Sequence, residues 1–218
     1  MNIEVNDFTK VIRCIKVLEN INISLEGGNI YGIIGKNGSG KTMFLRMISG
    51  LILPTSGGVK VDGKILGKDI SFPVSLGVLL EKPSFLPNLT GYENLQMLAK
   101  IRNTTPNETI QSFMELFELD CKSRKTFREY SLGMKQKLGI IQAIMENQQI
   151  IILDEPFNAL DDVSVEILRK VLKELKSQGK LIVMTSHNKE DIDLLCDYAY
   201  TIVEGKIEGM YQSNRLLS

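Results

Sequence analysis

Apolar residues recur at every second position near the start of the chain. Ile3 and Val5 lead toward Phe8, and Ile21, Ile23 and Leu25 alternate with polar neighbours. That period is the pattern of strands with one buried face. Gly27-Gly28 predicts a turn. The run Ile30-Tyr31-Gly32-Ile33-Ile34 is unbroken and short, as expected of a strand buried on both faces, and it leads into a glycine-rich loop. Phe44, Leu45, Met47 and Ile48 then fall at helical spacing, and Gly50 and Pro54 close that helix. Over residues 54–66, Asp62-Gly63 marks a turn between two short strands.

From about 85 to 147 the period becomes helical. Thr90 with Glu93 forms a capping-box signal ahead of Leu95, Met97 and Leu98. Thr105, Pro106 and Glu108 give a second start signal, with proline at the first helical position. Ser131 is the expected N-cap of a helix over 132–145. Beyond it, Ile150-Ile151-Ile152-Leu153 reads as a central parallel strand. A helix over 163–178 stopped by Gly179, a strand over 181–186, a helix near 190–196 and a strand over 200–203 follow. Strand–helix alternation predicts an α/β chain with a mostly parallel sheet. Residues 1–84 and 148–218 form its framework and 85–147 a helical insertion, all within one domain.

A length of 218 residues suits one domain. The hydrophobic fraction of 43% supplies a core and excludes disorder as the main state. Lys+Arg and Asp+Glu number 26 each, which argues against a dedicated nucleic-acid binder. No apolar run reaches the roughly 18 residues of a membrane-spanning helix. The opening MNIEVNDFTKVIR has no secretory h-region. Cytoplasmic residence is therefore expected. Cys14, Cys121 and Cys196 are odd in number and far apart, which fits neither a disulfide framework nor a zinc site. All three are expected to be buried or half-buried small apolar groups.

Chemistry enters at Gly35-Lys36-Asn37-Gly38-Ser39-Gly40-Lys41-Thr42, which satisfies G-x-x-x-x-G-K-[ST]. The glycines let backbone N–H groups turn inward as an anion nest, and the following helix adds its N-terminal dipole. Lys41 is placed to reach β and γ phosphates and Thr42 to ligate Mg²⁺. A chance match in a chain this long is on the order of one in a hundred at ordinary glycine frequencies. Asp154 and Glu155 end the apolar strand over 150–153. Asp154 is expected to hold Mg²⁺ through water, and Glu155 to orient and deprotonate an attacking water. His187 is the sole histidine and follows a strand; a γ-phosphate contact is expected of it.

These residues, with YSLGMKQ at 130–136 and NALD at 158–161, resemble the nucleotide-binding subunits of ABC transporters. The resemblance runs from about Ile3 to Gly209. It implies a P-loop NTPase fold: a RecA-like core with an antiparallel β subdomain and an inserted helical subdomain, 85–147. It implies ATP and Mg²⁺ as cofactors. It further implies a head-to-tail pair, most simply a homodimer, in which Ser131 and Gly133 of one subunit meet ATP on the other and Asp161 helps close the interface. Without the resemblance, Ser131 and Asp161 are ordinary helix N-caps. The implied function is an ATPase subunit, peripheral on the cytoplasmic membrane face, that powers a separate transmembrane permease, in the manner of exporters of drugs, peptides or lipids. The alternative is an ABC-type ATPase or ATP-gated scaffold with no transport role.

Three positions depart from the family pattern. Glu81 stands where Gln is usual; it is expected to reach Mg²⁺ through water and adds negative charge beside the phosphates. Ile12 stands where an aromatic residue usually stacks on adenine. Leu132 and Met134 replace the commoner Gly and Gln of the signature. The loop Pro83-Ser84-Phe85-Leu86-Pro87 borders, in relatives, the groove that receives a permease helix. Packing of Phe85 and Leu86 under the helical segment is the simpler reading of the same residues.

Overall fold

A computed structural model describes residues 1–102 and 105–212. Strands β1 (Asn2–Ile12) and β2 (Ile15–Glu26) pair antiparallel. Arg13 and Cys14 turn the chain between them at φ 48 and 65, the left-handed pair that matches strand twist in a two-residue hairpin. β4 (Ser56–Val61) pairs with β1, and β5 (Lys64–Ile65) with β4, giving a four-stranded antiparallel sheet of order β2-β1-β4-β5.

A second sheet has the order β10-β9-β3-β8-β7-β6. It uses β3 (Ile30–Ile34), β6 (Leu76–Leu79), β7 (Ile150–Leu153), β8 (Leu181–Thr185), β9 (Tyr198–Val203) and β10 (Lys206–Gln212). Neighbours from β6 to β9 run parallel, and β10 returns antiparallel on β9. The helices are α1 (Lys41–Ile48), α2 (Gly91–Arg102), α3 (Asn107–Leu116), α4 (Leu132–Ile144), α5 (Asp162–Ser177) and α6 (Lys189–Leu195).

The period of two sorts the central strands between two cores. Ile150, Ile152, Leu181 and Val183 pack with α1 and the four-stranded sheet. Ile151, Leu153, Ile182 and Met184 face the other way, into a cluster with Leu138, Ile141, Leu168 and Leu172 of α4 and α5. Every residue of β7 and β8 is buried. The parallel strands thus end together, with their outgoing loops at one edge, where α/β folds place ligands.

Several expectations change here. β6 and β10 carry no alternating signal. β6 is a strand because it pairs with β7, Leu76 opposite Ile150. β10 is a mostly exposed edge paired with β9. The Thr90–Glu93 capping box forms: Glu93 Oε2 accepts from the Thr90 N–H at 2.7 Å, and Thr90 Oγ1 accepts from the Glu93 N–H at 3.2 Å. The expected box at Thr105 does not. Pro106 takes the N-cap place of α3 without a side-chain capping bond, and Thr105 Oγ1 is buried with no hydrogen-bond partner. The helix begins one residue later than expected, at Asn107, so Thr105 falls outside the cap position. Cys14 is exposed, contrary to expectation, because it sits at the hairpin tip; Cys121 is half-buried and Cys196 buried, all as free thiols. Residues 103–104 and 213–218, within the expected helical and framework segments, lie outside the described residues.

α2, α3 and α4 fall between β6 and β7 in the chain, but α4 also packs directly on the sheet. A Cβ on Gly77 of β6 would lie 1.8 Å from the Ala143 carbonyl oxygen of α4. Phe85 packs edge-on against Phe127, ring centroids 5.1 Å apart, while Leu86 is exposed. The packing reading therefore holds for Phe85 and not for Leu86. Among the described residues no helix is long and apolar enough to cross a membrane.

Candidate phosphate and metal site

The loop over 35–42 joins β3 to α1. Two of its glycines have no substitute. Gly35 sits at φ 155, and a Cβ there would lie 2.3 Å from the Ile202 carbonyl oxygen and 2.5 Å from Ser39 Oγ. Gly40 caps α1 at φ 113, in the left-handed region. The loop therefore folds tightly, and the free N–H groups of the first turn of α1 face a cavity of about 540 Å³. Gly38, Lys41, Thr42, Asp154, Glu155 and His187 line it. Lys41 is buried, and its ammonium donates to the carbonyls of Gly35 at 2.8 Å and Lys36 at 3.3 Å. Ser39 Oγ is buried and lacks a hydrogen-bond partner. A cation, an unpaired hydroxyl and a helix N-terminus around one concavity can take up phosphate.

Asp154 follows β7, its N–H bonded to the Leu79 carbonyl at 2.7 Å. Its carboxylate is held at both oxygens. Thr42 Oγ1 donates to Oδ2 at 2.8 Å, and Thr185 Oγ1 donates to Oδ1 at 2.7 Å. Thr185 in turn accepts from the Glu155 N–H at 2.8 Å. Among the described residues no three His, Cys, Asp or Glu side chains gather as a metal cage. A hydroxyl and a carboxylate beside a phosphate cavity instead fit Mg²⁺, which takes few protein oxygens and completes its shell with phosphates and water.

Glu155 is held at φ 50. Its Oε2 accepts from the His187 N–H at 3.1 Å, and its Oε1 lies 3.0 Å from His187 Nε2. The second contact is close enough for an ion pair but not aligned as a hydrogen bond. Burial pushes the Glu155 carboxyl above the usual range, against the pull of His187 and Lys41. A carboxylate with a raised pKa is a better proton acceptor near neutral pH.

The remaining expected residues lie elsewhere. Ser131 is the N-cap of α4 and accepts from the Met134 N–H at 3.2 Å. Gly133 fits closely under the following loop; a Cβ there would lie 2.7 Å from the Ala159 carbonyl oxygen. Neither lines the phosphate cavity. Asp161 caps α5 by accepting from Ser164 N–H at 2.8 Å and pairs with Lys137 at 3.2 Å. The Ser164 bonds bring its pKa down to about 2. Ile12 is 41% exposed and does not line the cavity; Ile15, Lys16 and Val17 of β2 form that wall. Glu81 is ion-paired with Arg46, so its negative charge is already partly compensated, contrary to expectation.

Three contributors were not legible as site residues. Thr185 links Asp154 to Glu155; its only signal is a hydroxyl ending the apolar strand next to the acid-bearing one. Gln136 donates to the carbonyls of Glu155 at 3.2 Å and Pro156 at 3.1 Å, tying α4 to the site. Arg46 carries no sequence signal at all. Thr185→Val would strand the buried Glu155 N–H and one Asp154 oxygen, and is expected to cost about 2 kcal/mol. The measurement is the urea midpoint at constant slope. Thr185→Ser, which keeps the hydroxyl, should recover most of the loss.

The sequence profile described as "ABC transporter" matches residues 18–158. The chain is 44% identical over 206 residues to the ABC transporter ATP-binding protein YybJ of Bacillus subtilis, covering 94% of each. It is 39% identical to the bacitracin transport ATP-binding protein BcrA of Enterococcus faecalis, over 94% of this chain and 67% of that one. Among solved structures, an ATP-binding subunit of an ABC transporter superposes with a TM-score of 0.89 at 25% identity, covering 99% of this chain and 92% of the other.

Proposed function

The chain belongs to the ABC transporter family as an ATP-binding cassette with a P-loop NTPase fold, and from that premise we propose that it drives a separate membrane permease. It is an ATPase. The observation that carries the mechanism is the Thr42–Asp154–Thr185 chain of hydrogen bonds at the floor of the phosphate cavity. It brings the end of β7 to the start of α1, so that acid, hydroxyl and phosphate loop act on one ligand.

Backbone N–H groups over 37–42 and the Lys41 ammonium cradle the β and γ phosphates of ATP. Gly35, Lys36, Gly38, Ser39 and Gly40 shape that cradle. Thr42 and Asp154 hold Mg²⁺, with Glu81 reaching it through water. Held by those residues, Mg²⁺ would supply Lewis-acid neutralisation of charge on the phosphates. Glu155 accepts the proton of the attacking water, and His187 holds both the γ phosphate and the Glu155 carboxylate in place. Ser131 and Gly133 meet the ATP of a second copy of this chain, head to tail. Their position away from this chain's own phosphate cavity supports that role. Asp161 helps close the interface between the two copies. The segment over 85–147 acts as the helical subdomain, with α4 as its link to the core.

The permease is a separate chain, and this subunit sits on the cytoplasmic face. Exposed Phe72, Val74 and Leu86 supply apolar contacts for a short amphipathic permease helix. The name of the bacitracin relative supports a peptide antibiotic or similar amphipathic drug as the exported cargo. The test is purification of a tagged chain from detergent-solubilised membranes. The expected result is a complex with a polytopic protein whose reconstituted ATPase rises with added cargo peptide. A chain that hydrolyses ATP equally well alone, with no polytopic partner retained, would overturn the transport reading.

A further inference from the structure

We propose that Arg46 is a positioning residue that competes with the divalent cation for the carboxylate of Glu81. The proposal rests on Thr42 and Asp154 as cation ligands. Arg46 occupies the last turn of α1, the helix whose first turn carries Lys41 and Thr42. Its guanidinium pairs with Glu81 Oε1. Glu81 follows β6 and is set at φ 57, in the left-handed region. Despite that pairing, Glu81 lines a second cavity, of about 400 Å³, together with Asp154 and Glu155.

The carboxylates around this cavity are held by different partners. Asp154 has its two threonine hydroxyls and Glu155 has His187. Glu81 has Arg46. The Arg46 and Glu81 side chains are 37% and 59% exposed, so the pair is water-screened and contributes little net stability. Such a pair holds a carboxylate in place while leaving it free to exchange. A divalent cation at Thr42 and Asp154 presents twice the charge of a guanidinium to the same carboxylate. Glu81 therefore passes between two cations: Arg46 when the metal is away, and the metal's hydration shell when it is bound. Arg46 raises the metal concentration needed and keeps the third carboxylate away from the phosphates until then.

The probe is Mn²⁺, titrated into the full-length chain with a non-hydrolysable ATP analogue, with free Mn²⁺ read by electron paramagnetic resonance. Arg46→Ala and Arg46→Gln are both expected to tighten Mn²⁺ binding by about three-fold, the scale of an exposed ion pair. Arg46→Lys, which keeps a cation, should shift it less. In a Glu81→Gln background the same Arg46 substitutions should leave Mn²⁺ affinity unchanged. An unchanged affinity in both single variants overturns the competition. So does an equal tightening in the Glu81→Gln background, because it makes Arg46 a distant repulsive charge. Asp154→Asn separates the two layers. Weaker Mn²⁺ binding there upholds the cation site beneath the proposal, and unchanged binding overturns both.

Discussion

Glu155→Gln is expected to lower steady-state ATP hydrolysis by about 100-fold or more, the scale of a lost general base. ATP affinity should change little, because the phosphate cradle is untouched, and the ATP-bound pair of subunits should accumulate. Glutamine keeps the size of the side chain and can still accept from the His187 N–H, but it cannot take a proton. Rapid-quench turnover and size-exclusion chromatography with ATP read the two effects. Turnover equal to the parent chain would remove Glu155 from the role of base.

The pH dependence has two signs. Burial raises the folded-state pKa of Glu155 above its ordinary 4.5, so the fold holds that proton more tightly than the unfolded chain does. The corresponding stability is complete below the unfolded value and is lost as pH rises through the folded one. Hydrolysis needs the carboxylate, so its rate falls as pH drops through the same raised value. The acid limb of the rate profile should lie above the usual carboxylate range in the parent chain. In the residual activity of Glu155→Gln that limb should be absent.

Lys41→Ala should weaken ATP binding by roughly a hundred-fold, as expected for loss of about 3 kcal/mol of charge-assisted contact with phosphate. Isothermal calorimetry measures it directly. The fold should persist: the lost ammonium bonds go to the carbonyls of Gly35, half-buried, and Lys36, exposed. An ordinary affinity in Lys41→Ala would contradict the phosphate-site assignment.

The parts of this site that a reader of the sequence finds are those built from neighbours in the chain. The loop over 35–42 is contiguous, and each glycine marks a backbone need that local sequence expresses. Asp154 and Glu155 are readable because of that loop; strand ends often carry acids, and the pair alone is a weak signal. Contacts across the chain are a different matter. Thr42 and Asp154 are 112 positions apart, and the pair is inferable only once both motifs are seen together. Thr185 and Arg46 have no motif to announce them, since their value lies entirely in what they face. The same holds for β6 and β10, which are strands by virtue of their neighbours. Ile12 is a different case. Counting along the chain sets it at the family's aromatic position; the hairpin turn at Arg13 and Cys14 follows directly, and Ile15 and Val17 line the cavity.

The backbone of Glu155, at φ 50, carries a bias in one evolutionary direction. A residue with a β-carbon costs about 1 kcal/mol in that region, and glycine costs almost nothing. Replacement by glycine therefore relieves strain as it removes the proton acceptor. A descendant lineage freed from the demand to turn over ATP, but still selected to persist in the cell, slides toward glycine at this position and gains robustness as it does so. Climbing back requires accepting the strain again before any benefit returns. The glutamate is thus kept in place by its use and its bond to the His187 N–H, not by the backbone it sits on.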